Sequence, residues 1–267
     1  MTPRALRSVL TVCVAAVVAS AASGADKAPA KKKVLVELYE SQGCDMCPKA
    51  DLLLGDLKGL GFGPDQIVPI SFHVDYFDTP WKDRFSDPNH SKREMSYNTA
   101  LNRDDLYFTP MLMVDGRYPM LGSDQPKALE ALKRATADKP GASLSAVWKA
   151  GSKDPRKRTL EVNAGILAGS PAAGREVMVG VALYEDGVET DVKSGENQGK
   201  HLIERFAVRK FVWERFKLDR PKTMSFPLGL GSDWNAAKCG AAVWVQDWSD
   251  GRVYQADRAS WPDGPSH

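Results

Sequence analysis

Two cysteines three residues apart, Cys44-Asp-Met-Cys47, carry the clearest chemistry in the sequence. A thiol attacks as its thiolate, and a free cysteine with a pKa of about 8.5 is mostly protonated near neutrality. The amino terminus of a helix supplies the missing stabilisation through its unpaired N–H groups and dipole. The spacing predicts that Cys44 sits exposed at a helix start as the nucleophile, with Cys47 one turn in. From there Cys47 can resolve a mixed disulfide by attacking the Cys44 sulfur. The dithiol itself carries the two electrons, so this reading requires no cofactor. Asp45 lies between the cysteines, and its negative charge opposes thiolate formation, which predicts a less oxidising pair.

The same spacing serves a static structural disulfide, or half of a zinc site. A closed zinc site needs two further soft or imidazole ligands. The remaining candidates, Cys239, His73, His90, His201 and His267, include no second close pair, so no metal is expected. A copper(I) carrier built from Cys44, Cys47 and His73 stays open as a third reading, since thiolate and imidazole suit that ion.

The dithiol has to be positioned by its neighbours. Val34-Leu-Val-Glu-Leu-Tyr39 reads as a buried strand and Ser41-Gln-Gly as a turn. Residues 48–60 carry Leu52, Leu53, Leu57 and Leu60 at helical spacing, with Pro48 in the first turn, where its missing N–H is no loss. Residues 67–74 read as a second strand, 75–87 as a polar and aromatic insertion, and 89–101 as an inserted helix. Thr109-Pro110 leads into a strand at 111–114. Asp115-Gly116 turns the chain into a hairpin partner at 117–121, and 125–137 spaces Leu129, Leu132 and Ala135 along one helical face. The order β-α-β-insertion-β-β-α predicts an α/β fold, a thioredoxin-like domain over residues 34–139.

From Pro140 the texture changes. Strand-like runs at 143–149, 159–167, 176–185, 202–211, 223–227 and 240–248 are separated by Gly, Asp and Pro turns, predicting a β-rich, sandwich-like second domain over 140–267. Its run 194–199 reads as a tight connection or a ligand loop. Cys239 begins an apolar run and reads as a buried, inert thiol, and Trp244 and Trp248 are expected on one face of a strand.

Two features support redox chemistry. In a thioredoxin-like fold the proline before the third strand is usually cis and packs beside the disulfide; Pro110 stands there. In Phe72-His73-Val74-Asp75-Tyr76, the carboxyl end of a parallel strand lies at the sheet edge that holds the cysteines. If the strand continues, His73 and Asp75 share a face and form a proton relay or a polar wall near Cys44.

Glu37-Leu-Tyr-Glu-Ser-Gln-Gly-Cys44 with Cys47-Pro-Lys-Ala-Asp51, Ser71-Phe-His-Val-Asp-Tyr76, Trp81-Lys-Asp83, Thr109-Pro110 and Val114-Asp-Gly116 resemble a family of secreted bacterial proteins with a thioredoxin-like domain and no assigned function. Ser194-Gly-Glu-Asn-Gln-Gly199, Val208-Arg209 and Val245-Gln-Asp247 extend that resemblance over almost the whole chain after its leader. It implies a thioredoxin-like fold with a β-rich tail. Asp45-Met46 departs from the family's small hydroxyl residues, and Phe77 from its common tryptophan.

The leader is read from Arg4 and Arg7, an apolar run at 9–19 and small residues at 20–25. Together they predict a secretory signal peptide over 1–25, followed by a solvated linker over 26–33. The apolar run falls short of the roughly 20 residues a membrane span needs. Removing Arg4 and Arg7 from the 36 basic residues leaves 34 against 34 acidic ones, so no basic surface argues for nucleic acid. The expected protein is exported to the periplasm or beyond, where disulfides persist. Its expected partners are protein thiols and disulfides.

Overall fold

Strand β1 (Val34–Glu40) is buried on both faces, which accounts for its nearly continuous apolar run. In the computed structural model, which describes residues 31–149 and 154–262, it lies inside an eight-stranded mixed sheet. The expected signal peptide (1–25) and the linker up to residue 30 fall outside the described residues. After β1 come α1 (Cys47–Asp56), β2 (Ile67–His73), α2 (Pro88–Ala100), β3 (Met111–Val114), β4 (Tyr118–Leu121) and α3 (Gln125–Ala137). The β-rich part follows with β5 (Ala142–Lys149), β6 (Lys157–Ile166), β7 (Glu176–Glu185), β8 (Val188–Asp191) and β9 (His201–Glu204). It ends with β10 (Ala207–Lys217), β11 (Lys222–Gly229), β12 (Cys239–Asp247) and β13 (Val253–Ser260). The architecture is mixed α/β.

The large sheet runs in the order β13-β12-β7-β10-β2-β1-β3-β4, so both parts of the chain contribute to it. Within the sheet the strand pairing that joins them is narrow. β2 and β10 run parallel and meet at Ser71 opposite Ala207, where the Ser71 N–H donates to the Phe206 carbonyl at 3.0 Å. A smaller sheet, β11-β6-β5, packs across a core made by alternate residues of β7 (Val177, Val179, Val181, Leu183) with Leu160, Val162, Phe226 and Val243. The other face of β7 sends Met178 and Ala182 into a second core with Phe72, Tyr97 and Trp244.

The period of two in β1 divides its chemistry between two faces. Val34, Val36 and Leu38 join a third core with Leu53 and Leu54 of α1, Leu57 just past its end, and Ala128 and Leu132 of α3. Leu35 and Tyr39 join the second core. Glu37, on that second face, is fully buried yet paired: Arg93 of α2 donates to it at 2.7 Å and Tyr97 at 2.5 Å. The Arg93 guanidinium lies 4.8 Å from the Trp244 ring centroid.

Two expectations are corrected. Trp244 is buried and Trp248 is 43% exposed, because β12 ends at Asp247 and alternation stops there. The first helix starts at Cys47 rather than at Cys44, with Pro48 at its first turn and the preceding cysteine left in a turn. Cys239 is a free, buried thiol, pushed up to about 12 by burial.

Candidate active site

β1 ends at Glu40, and residues 41–43 fold the chain back toward α1. The Cys44 N–H donates to the Ser41 carbonyl at 3.2 Å, and the Cys47 N–H donates to the Cys44 carbonyl at 3.2 Å. A Cβ at Gly43 would stand 2.7 Å from the Phe77 carbonyl oxygen, so the backbone approaches too closely there for any other residue. Cys44 and Cys47 are joined as a disulfide with their Cα atoms 5.4 Å apart.

Cys44 was expected to be exposed, but it is 2% exposed and Cys47 1%. The turn that carries them is packed from several sides, and the segment 194–199 straps its backbone. Asn197 is fully buried and donates from Nδ2 to the carbonyl oxygens of Gln42 at 2.8 Å and Cys44 at 2.7 Å. The Asp45 N–H donates to Glu196 at 3.0 Å, and Ser194 donates to the Pro80 carbonyl at 3.0 Å. From the other side, Trp81 Nε1 donates to Gln42 Oε1 at 3.1 Å. The Thr109–Pro110 bond is cis. Pro110 is buried beside the first turn of α1: a Cβ at Gly122 would meet both Ala50 and Pro110 within 3.0 Å.

Beneath the turn lies a cluster of ionisable side chains. Because β1 and β2 run parallel in register, Glu40 stands opposite His73, on the face that α1 covers. His73 Nδ1 donates to Asp83 Oδ2 at 2.7 Å. Its Nε2 points between Glu40 Oε1 at 3.7 Å and Glu204 Oε2 at 3.9 Å and has no hydrogen-bond partner. Ser71 Oγ donates to Glu40, and Gln42 Nε2 donates to Glu204 Oε1 at 2.8 Å. Asp51, one turn beyond Cys47, accepts from the Arg205 N–H at 2.9 Å. All five charged groups are within 4% of full burial.

Burial governs their protonation. It holds Glu40 well above the usual carboxylate range, with the Asp51 charge adding to the effect, and it raises Glu204 against the pull of His73. It also pushes Asp51 up to about 7, helped by Glu204. For His73 burial works downward, but the charge and hydrogen bond of Asp83 outweigh it and raise the imidazole to about 10. Asp83 is lowered despite its burial, by His73 and by the N–H groups of Gln42 and Phe85.

Of the residues read from the sequence, Cys44, Cys47 and Pro110 are brought together around the start of α1, with His73 behind them. Asp75 is not part of the group. β2 ends at His73, so the alternation that would have aligned His73 with Asp75 ceases, and Asp75 accepts from Ser91 Oγ on α2 instead. The partner of His73 is Asp83. Glu40, Asp51, Glu204 and Asn197 went unread. An acidic residue closing an otherwise apolar strand was a usable signal for Glu40. Glu204 and Asn197 arrive from more than 150 residues away; the run 194–199 stood out as a tight connection or ligand loop, but nothing local tied either residue to the dithiol turn.

Residues 35–246 match the model of a family described as "Protein of unknown function (DUF1223)". No curated protein matches the chain. Among solved structures, Protein AGR_C_4864 from Agrobacterium tumefaciens is similar at 23% identity, covering 89% of this chain and 98% of that one with a TM-score of 0.64. HBP35 of Porphyromonas gingivalis is similar at 12% identity over 89% of this chain and 78% of that one, also with a TM-score of 0.64. Both likenesses concern the fold.

Proposed function

Since the chain belongs to the DUF1223 family, whose activity is not assigned, we propose from its own site that it is an exported thiol–disulfide oxidoreductase acting on protein partners. Residues 34–139 act as a thioredoxin-like unit in this reading, and the β-rich unit 140–267 selects or docks the partner. The observation that carries it is the Cys44–Cys47 pair closing the turn between β1 and the amino terminus of α1, beside cis-Pro110. In the reduced protein the α1 dipole favours thiolate character. The Cys44 thiolate attacks a disulfide of the partner, forming a mixed disulfide and releasing one partner thiolate. Cys47, deprotonated, then attacks the Cys44 sulfur. The second partner thiolate leaves, and Cys44 and Cys47 are left oxidised, as in this structure. Two electrons pass to the partner, and an external dithiol must return them. Run backward, the same steps oxidise a partner dithiol. The disulfide itself is compatible with an oxidising compartment, and among the described residues no helix is long and apolar enough to cross a membrane.

The burial of both cysteines favours a second reading, a static disulfide in a binding or scaffold protein. Trapping decides between them. Cys47→Ala, produced in the exporting compartment, is expected to accumulate covalent adducts on Cys44 that dithiothreitol releases. Absence of adducts, together with no reduction of insulin by the wild-type protein, establishes the static disulfide.

A further inference from the structure

The polar cluster behind the disulfide has the make-up of a metal site. His73 Nε2 is buried, has no hydrogen-bond partner and points at one oxygen each of Glu40 and Glu204. The ligating atoms of these three residues lie within 4.8 Å of one another. In a tetrahedral zinc shell, with bonds of about 2.0–2.2 Å, neighbouring ligand atoms stand roughly 3.3 Å apart. The two separations from His73, 3.7 and 3.9 Å, need to close by about half an ångström, and the two carboxylate oxygens, within 4.8 Å of each other, by up to about 1.5 Å.

The outer partners fit as well. Metal-ligating histidines commonly donate their second ring N–H to a carboxylate, and ligating carboxylates are themselves held by donors. Here Asp83 holds His73 through Nδ1, Ser71 holds Glu40, and Gln42 holds Glu204 through the oxygen that faces away from His73. Among the described residues, every ion pair made by Glu40, Glu204 and Asp83 goes to His73, and Arg84 acts on Glu204 only from beyond ion-pair distance. In the absence of metal the His73 imidazolium is the cation these carboxylates share, and a metal would take its place by displacing the Nε2 proton. We propose that Glu40, His73 Nε2 and Glu204 bind a divalent transition-metal cation of the zinc class, seated behind the disulfide turn and bridged to it through Gln42. One imidazole and two carboxylates suit such an ion better than copper(I), which prefers thiolates. The site makes no use of the sulfurs, so it stands independently of the redox reading.

The test uses the full chain after its leader, stripped with chelator and titrated with Zn2+ alone. One ion per chain is expected by elemental analysis, with a rise in Tm. Glu204→Gln and Glu40→Gln should each weaken binding at least about tenfold. The Cys44→Ser/Cys47→Ser double variant should bind as the wild type does. So should His201→Ala, which removes the exposed group formed by His201 with Asp191 at 2.8 Å and Glu189 at 3.5 Å. The proposal is overturned if the folded, stripped protein binds no Zn2+. Unchanged binding in the two glutamine variants also overturns it, as does loss of binding with the cysteines or with His201. Should a glutamine variant not fold, a wild-type Tm unmoved by Zn2+ overturns it alone.

Discussion

Asn197 and Cys44 are 153 residues apart in the chain and joined by a 2.7 Å hydrogen bond from a fully buried amide to the carbonyl oxygen of the candidate nucleophile. The same amide nitrogen holds Gln42 at 2.8 Å, so one side chain pins both sides of the turn. Under the redox reading, a partner reaches the sulfurs only when segment 194–199 lifts.

Asn197→Ala should therefore expose the disulfide. It removes the two hydrogen bonds to the turn, each worth about 1 kcal/mol net, together with the one accepted from Lys200, and leaves the Gln42 carbonyl oxygen wanting a donor while Cys44 keeps the Cys47 N–H. The expected outcome is a roughly tenfold faster reduction of Cys44–Cys47 by dithiothreitol, followed by alkylation and mass measurement. An unchanged rate means that the strap does not govern access.

Asp45 is exposed and adjacent to Cys44. Its negative charge disfavours the thiolate and so destabilises the reduced form of a pair that depends on thiolate character. Asp45→Asn should raise the redox potential by about 10–30 mV, a change of up to about tenfold in the exchange constant. Equilibration against a glutathione series measures it, and a potential that is unmoved or lower discards the effect.

Arg93 is a stability prediction free of any redox assumption. It neutralises Glu37 in a fully buried setting and stacks on Trp244. Arg93→Met keeps much of the volume but strands the carboxylate, with an expected loss of about 3–5 kcal/mol. Urea unfolding reads this directly, and a loss below about 1 kcal/mol would show that Tyr39 and Tyr97 suffice for Glu37.

Glu94 sets a pH dependence. Burial pushes it up to about 8, against the hydrogen bonds it accepts from Tyr76 and the Phe108 N–H. A carboxyl raised in the native state keeps its proton after the unfolded chain has lost its own. The stability it contributes is complete below the unfolded value of 4.5 and declines as pH rises toward 8. The decline should be on the order of a few kcal/mol. In Glu94→Gln, whose amide oxygen still accepts from Tyr76, the slope of urea midpoint against pH across this window should flatten. A variant with the wild-type slope assigns that dependence to other groups.

The positions of the strands and helices around the dithiol were largely legible, because period and turn chemistry are local. The run at 34–39 identifies β1 directly; the leucines after Pro48 locate α1, but it stops at Asp56, before Leu57 and Leu60, and leaves Leu52 exposed. What failed is the continuation of patterns past the ends of elements. Asp75 and Trp248 each lie beyond a strand terminus, so their expected faces do not exist. What stayed hidden is tertiary. Glu204 and Asn197 belong to a distant stretch that looked like connecting loop and short strand. Asn197, which bonds the Cys44 carbonyl, comes from that stretch and not from the neighbourhood of the cysteines.

The junction of β2 with β10 lies over a core that both parts of the chain share, and this makes the protein non-modular. Excising residues 34–139 would strip β2 of its one bridge to β10 and uncover the apolar face that Val68, Ile70 and Phe72 share with Met178, Ala182 and Trp244, leaving an edge open to pairing with other chains. The fragment would also leave behind Glu204 and Asn197, one part of the ionisable cluster and the pin of the dithiol turn. A shortened version made to isolate the cysteine chemistry would thus be a different object, adhesive and incomplete. The smallest unit that preserves the site is the nearly whole described chain.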